Sequence, residues 1–223
     1  MISRTQKSSF RGQLQHSQRT APDRYPEVFE FVSNLIQKNL NGVPRVLSFG
    51  CSTGEEPLTF RAKYFKNAEI YGVDISSKAL YLARLNSIKS KANVKFCKPS
   101  EMHELGEFDA IFAMSVLCRW PDTKDQDEIN EIFSFRDFES GLSEVVHHVK
   151  VGGYLIIYNS NYRFEDSVFF ADFQKVDFDS PTQFVTMFNK GGQRLPTPTT
   201  SVVFYRYQST AFLKSDVEGV KQE

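Results

Sequence analysis

An open, doubly wound α/β sheet of seven mostly parallel strands, with an antiparallel C-terminal strand, is the fold this sequence predicts. Three observations predict it. An apolar run, Val46-Leu47-Ser48-Phe49, stops at Gly50, and after a tight turn Gly54 opens a helix. Such a strand–loop–helix unit is the first element of open α/β nucleotide-binding sheets. About twenty residues later Glu69-Ile70-Tyr71-Gly72-Val73-Asp74 reads as a second strand ending in a carboxylate, the spacing at which an acid accepts hydrogen bonds from ribose hydroxyls. Strands and helices then keep alternating, and successive βα steps imply a parallel sheet with right-handed crossovers.

The elements follow in order. Pro26 followed by Glu27 to Ile36 predicts an amphipathic helix that closes near Asn41-Gly42,. Arg45 to Phe49 is the first strand, and Glu55 to about Phe65 a helix whose first turn accommodates Pro57,. Glu69 to Asp74 is the second strand. Ser76-Ser77 cap a helix with Ala79, Leu80, Leu82, Ala83 and Leu85 along it,. Asn93 to Cys97 is a short third strand, and Phe108 to Met114, apolar apart from Asp109, is a buried-type fourth,. Helices are expected over Asp125–Phe133 and Phe138–Val149, a turn at Val151-Gly152-Gly153, and a fifth strand over Tyr154–Tyr158. Phe173–Phe178 and Ser201–Tyr207 read as two last strands with no long helix between them, hence an antiparallel addition,. The expected domain is 26–213, preceded by a segment over 1–25 and followed by a frayed tail over 214–223.

Composition narrows the function. The 27 basic and 27 acidic residues cancel, which argues against a nucleic-acid binder, whose domain is usually basic. No apolar run approaches the length of a membrane span, so no membrane partner is expected. Cys51, Cys97 and Cys118 are scattered without metal-ligand spacing, which suggests a reducing, cytoplasmic setting and no metal site. With 21 phenylalanines, the core or the pocket is expected to be aromatic. The first residues carry Arg4, Lys7, Arg11 and Arg19 and no acid before Asp23. That composition fits a transit peptide, a mobile tail, or a segment that folds over the active site.

The charge of the glycine loop selects its ligand. Loops built for pyrophosphate present bare helix-terminal N–H groups and often a lysine. Here Glu55 and Glu56 stand where phosphate would go; they suit the helix dipole but repel a polyphosphate. A ligand with a cationic centre fits better, and S-adenosylmethionine carries a sulfonium and an ammonium.

Three stretches carry a family resemblance: Gly50-Cys51-Ser52-Thr53-Gly54-Glu55-Glu56-Pro57, Asp74-Ile75-Ser76-Ser77-Lys78-Ala79-Leu80-Tyr81-Leu82-Ala83, and Phe108 to Leu117 with Gly152-Gly153-Tyr154-Leu155. The chain resembles class I S-adenosylmethionine-dependent methyltransferases of Rossmann-like fold. Within them it is most similar to the catalytic core of the chemotaxis receptor methyltransferases, which methylate receptor glutamates. Ser9-Phe10-Arg11 resembles that family's upstream element that sets an arginine beside the methyl donor. The resemblance implies donor contacts from Phe10, Gly50, Cys51, Ser52, Thr53, Gly54, Glu55, Asp74 and Ile75. It extends them to Ser100, Glu101 and Met102 after the third strand and to Met114, Ser115 and Val116 after the fourth.

Acceptor contacts are expected from loops at the same sheet edge. Cys118-Arg119-Trp120-Pro121-Asp122 leaves the fourth strand, and Asn159, Asn161, Tyr162 and Arg163 follow the fifth. Arg11, Trp120, Tyr162 and Arg163 are the candidate catalytic residues, with Arg11 or Arg163 orienting an anionic substrate. The span from Phe178 to Ser201 is short for a receptor-docking subdomain. The expected activity is therefore O-methylation of a small anionic or aromatic acceptor. The competing readings are a protein glutamate carboxyl methyltransferase and a catalytically silent donor-binding regulator.

Overall fold

A computed structural model describes residues 14–15, 20–176, 178, 185–196 and 203–208. Helix α1 (Pro26–Asn39) leads into β1 (Arg45–Phe49), α2 (Glu55–Thr59), β2 (Glu69–Val73), α3 (Ser77–Lys89) and β3 (Val94–Cys97). Then come β4 (Phe108–Met114), α4 (Phe135–Val146), β5 (Val149–Tyr158), β6 (Phe173–Val176) and β7 (Val203–Tyr207). The seven strands form one sheet in the order β3-β2-β1-β4-β5-β7-β6. β1 to β5 pair in parallel. β7 inserts antiparallel between β5 and β6, the antiparallel addition expected at the C-terminal end.

The expected aromatic richness lies mostly in the core. One face of the sheet packs Phe29, Phe60, Phe65 and Phe112 under α1, and the other packs Phe108, Phe133, Phe138, Tyr162 and Phe164 under α4. Phe29 meets the rings of Phe60 and Phe112 edge-on, at centroid distances of 4.9 and 5.7 Å, the arrangement ring quadrupoles favour.

Four local expectations are corrected. The helix after the glycine loop gives way at Phe60 to a π-helical turn over Phe60–Tyr64. No helix forms over Asp125–Phe133; Ile129 N–H instead donates to the Gly192 carbonyl at 2.9 Å, and Glu128 bridges Gln193. Ile129 and Phe133 are buried without a helix, Ile129 against that loop and Phe133 against the Tyr162 ring, so their helical spacing misleads. The true helix begins earlier than Phe138, because Ser134 and Asp137 form a reciprocal capping box,. Finally, Val151-Gly152-Gly153 is a bulge inside β5 rather than a turn before it. Phe108 pairs with Val149 but Ala110 with Tyr154, and a Cβ on Gly153 would lie 3.0 Å from the Phe108 carbonyl oxygen.

Candidate active site

β1 lies between β2 and β4, and the chain winds outward from it on both sides. Crossovers therefore diverge at the carboxyl ends of β1 and β4, the place where open α/β sheets bind ligands. A cavity of about 380 Å³ lies there, within the range of about 300–1,000 Å³ typical of small-molecule sites. Gly50, Cys51 and Ser52 reach it from β1, Asp74 and Ile75 from β2, Ser100 from beyond β3, and Met114, Ser115 and Val116 from β4. Nine of the predicted donor residues are thus brought together.

The first loop is shaped by close backbone approach. Gly50 has φ +77°, and a Cβ there would sit 2.6 Å from Val116 Cγ2. Only glycine both adopts that conformation cheaply and lets the β1 and β4 loops touch. Ser52 is left-handed at φ +48°, and its N–H donates to Asp74 Oδ2 at 2.8 Å. Asp74 Oδ1 accepts from Ser76 N–H at 2.8 Å, while Ser76 Oγ itself caps α3. The Asp74 carboxylate therefore ties two loops together. It offers about four lone-pair positions, so two remain for a ligand's hydroxyls.

Glu56, rather than its neighbour, is the acid that faces the cavity. Its Oε1 accepts from Ser48 Oγ at 2.8 Å. Burial pushes its carboxyl up to about 8, against the opposing pull of that hydrogen bond and of the nearby Arg24 guanidinium. A carboxylate held in this state is stabilised by an incoming cation. Arg24 also lines the cavity and lies 5.1 Å from the Tyr25 ring centroid. The Tyr25 hydroxyl is 3.1 Å from Ser115 Oγ, which also accepts from Asn159 Nδ2 at 2.9 Å. Ser115 and Asn159 are left-handed at φ +59° and +54°; strained residues held by a polar network cluster at functional sites.

The upstream chain forms one wall. Leu14 is 7% exposed and packs over Gly141 of α4, where a Cβ would come within 2.7 Å of Leu14 Cδ2. Gln15 Nε2 donates to Cys118 Sγ at 3.1 Å. Both residues line the cavity, and Glu144 completes that side.

Other predicted residues lie elsewhere. Gly54 faces Ala83 and Phe96, where a Cβ would find 3.0 and 3.3 Å of room, so it seats α2 against α3. Thr53 Oγ1 donates to Glu55 at 2.7 Å, outside the cavity wall. Glu101 accepts from Lys98 N–H at 2.8 Å and so caps the turn after β3; Met102 is 1% exposed, in the core. Tyr162 is also a core residue: its hydroxyl donates to the Phe133 carbonyl at 2.6 Å among Phe133, Phe135 and Phe138. Arg163 is exposed and pairs with Asp166 at 3.4 Å. Trp120, in a cis peptide bond with Pro121, does not reach the cavity wall. Phe10 and Arg11 lie outside the described residues. The sequence reading missed Arg24 and Tyr25 altogether. Their only signal was position, just before a helix that packs near the glycine loop.

A family model described as a methyltransferase domain matches residues 42–192. Among solved structures, TehB from Haemophilus influenzae shares 12% identity over 80% of this chain and 62% of that one, with a TM-score of 0.51. The PH0226 protein from Pyrococcus horikoshii OT3 shares 20% identity over 60% of this chain and 57% of its own, at a TM-score of 0.43. CalS10, an amino pentose methyltransferase from Micromonospora echinaspora solved with its methyl donor bound, shares 18% over 58% of this chain and 48% of its own, at 0.40. The matched part thus spans less than two thirds of each of these structures. No curated protein matches the chain.

Proposed function

The chain belongs to the methyltransferase domain family, and on that premise we propose that it transfers a methyl group to an oxygen of a small anionic or aromatic acceptor. S-adenosylmethionine is the methyl donor. The observation that carries the reading is the placing of Asp74, Glu56 and Arg24 around one cavity at the switch point of the sheet.

These residues fit the donor group by group. Asp74 keeps two lone-pair positions for ribose hydroxyls. Ile75, 45% exposed at the cavity, offers an apolar face for the adenine. Glu56 is matched to an ammonium and Arg24 to a carboxylate, so the amino-acid end of the donor meets both its charges. Met114, Ser115 and Val116 form the floor beneath it.

Bound S-adenosylmethionine supplies a methyl group already activated on a sulfonium. The protein's task is then alignment and exclusion of water. Leu14 and Gln15 serve exclusion by walling the cavity. Tyr25, Ser115 and Asn159 serve alignment through their hydrogen-bonded network. The wall holds no histidine among the described residues, and burial raises the Tyr25 hydroxyl and the Cys51 thiol away from ionisation at neutral pH. A carboxylate acceptor needs no general base, which favours an acid over an alcohol. Glu144 is the residue that a phenol would turn to as a base.

Calorimetric titration with S-adenosylhomocysteine, NAD and a nucleotide sugar tests the donor. Only the first should bind. A turnover panel of small carboxylates, phenols and glutamate-bearing peptides then tests the acceptor. Small acids should be methylated, with kcat kept within about threefold in Glu144→Gln, since a carboxylate has no proton to lose. Rapid peptide methylation with none of the small molecules restores the protein-glutamate reading. Donor binding with no turnover on any acceptor leaves the silent regulator.

A further inference from the structure

The outward face of α3 combines cations with exposed apolar side chains. Between Asp74 and Glu101 the chain carries no acid, and Lys78, Arg84, Lys89 and Lys91 all stand exposed there. In a chain with no net charge, this is a local excess. Lys78, Lys89 and Lys91 enter no ion pair among the described residues. Ala79, Leu80 and Ala83 face the core, yet Tyr81 is 61% and Ile88 74% exposed. Tyr81 and Ile88 stand two turns apart on the solvent side, with the partly buried Leu85 one turn from each, so the three form one stripe,. Lys78 and Lys89 flank the stripe on one side and Arg84 on the other, by the helix's turn of about 100° per residue. Single exposed apolar residues are ordinary; an aligned set framed by cations is not.

We propose that α3 is the docking face for an anionic lipid surface, with Tyr81, Leu85 and Ile88 entering the headgroup–acyl boundary and the four cations meeting the headgroup charges. Interfacial helices bury an apolar face with Lys and Arg beside it; α3 differs in that its opposite face is taken up by the core through Ala79, Leu80 and Ala83. Self-association through the stripe would bring the same cations face to face, which disfavours a second copy as the occupant. Nucleic acid would reward the cations but not Ile88 or Leu85, which have no stacking face. The absence of any helix able to span a membrane among the described residues does not bear on this mode, which needs no span. The proposal is independent of which acceptor is methylated.

The test is co-sedimentation of the full chain with vesicles of phosphatidylcholine alone or with added phosphatidylserine, at low and high salt. Binding should require the anionic lipid and weaken with salt. Lys89→Glu and Lys91→Glu together should reduce it by at least about tenfold, each cation near such a surface being worth roughly fivefold. Ile88→Ser should weaken it at both salt concentrations, because its contribution is apolar. Unchanged thermal transitions and donor affinity show that these surface variants are folded. The proposal is overturned if the wild-type chain stays in the supernatant with anionic vesicles at low salt. It is equally overturned if the charge reversals or Ile88→Ser leave lipid binding unchanged. Tighter binding to a single-stranded oligonucleotide or an acidic protein segment, indifferent to Ile88→Ser, assigns the face to that partner instead.

Discussion

Replacing Glu56 by glutamine separates what this acid does for the fold from what it does for the donor. In the empty protein, burial raises its carboxyl from 4.5 to about 8. The folded state therefore holds a proton that the unfolded state has lost between those values, and stability falls as pH rises across that window. At about 1.4 kcal/mol per pH unit, the upper bound on this cost is about 5 kcal/mol above pH 8. Glutamine can still accept from Ser48 and carries no charge to desolvate. Glu56→Gln should thus stabilise the empty protein by at least about 1 kcal/mol at pH 8.5, a rise of roughly 2–4 °C in Tm for a chain of this size, and leave it unchanged near pH 4.5.

Donor binding should show the opposite sign. A ligand ammonium beside Glu56 favours the ionised carboxylate, so binding expels its proton. Between pH 6 and 7.5, where the ligand amine remains charged, wild-type affinity should rise about twentyfold, following the ionised fraction of a group titrating near 8. Titration calorimetry of S-adenosylhomocysteine at pH 7 in buffers of different ionisation enthalpy should find about 0.9 proton released. Glu56→Gln should abolish both effects and weaken binding at pH 7.5 by at least tenfold, the value of a hydrogen bond to a charged group being about 1.5–3 kcal/mol. A wild-type affinity that is flat from pH 6 to 7.5, with no buffer dependence of the enthalpy, would refute the ammonium assignment and the reasoning behind it.

Asp74→Ala should cost both stability and binding, since it strips the acceptor from Ser52 and Ser76 N–H and from the ligand hydroxyls. Thermal melts should show a loss of about 1–3 kcal/mol and calorimetry a fall in donor affinity of at least tenfold. Gly141→Val should displace Leu14, whose Cδ2 lies 2.7 Å from the new Cβ; stopped-flow release of the donor should be faster, with the melting of the empty protein changed far less. Tyr162→Phe should lower stability by about 1 kcal/mol through the lost Phe133 bond and leave acceptor KM unaltered in steady-state assays.

The sequence made legible those parts of the site in which neighbours along the chain decide the geometry. Gly50, Ser52 and Asp74 stand at strand ends fixed by local pattern, and a parallel sheet must bring such ends to one edge. The same logic failed for residues whose role depends on which side of a strand or helix they leave. Glu55 and Glu56 are indistinguishable as letters; the first binds Thr53 and the second turns to Ser48 and the cavity. Tyr162 and Arg163 share an edge position, yet one hydroxyl finds the Phe133 carbonyl and the other side chain finds Asp166 in solvent. The loop after β4 differs from the expected helix for a related reason: a helical spacing of Ile129 and Phe133 records only that both are buried, and residues 189–195 and Tyr162 supply the burial. Arg24 and Tyr25 illustrate the largest gap. Nothing nearby in sequence announces them, because they matter only once α1 lies on the sheet and its preceding residues cross the ends of β4 and β5. The cofactor was therefore readable from one loop and its spaced acid, whereas Arg24, which the proposal sets against the donor's carboxylate, reaches the cavity only through packing between elements distant in sequence.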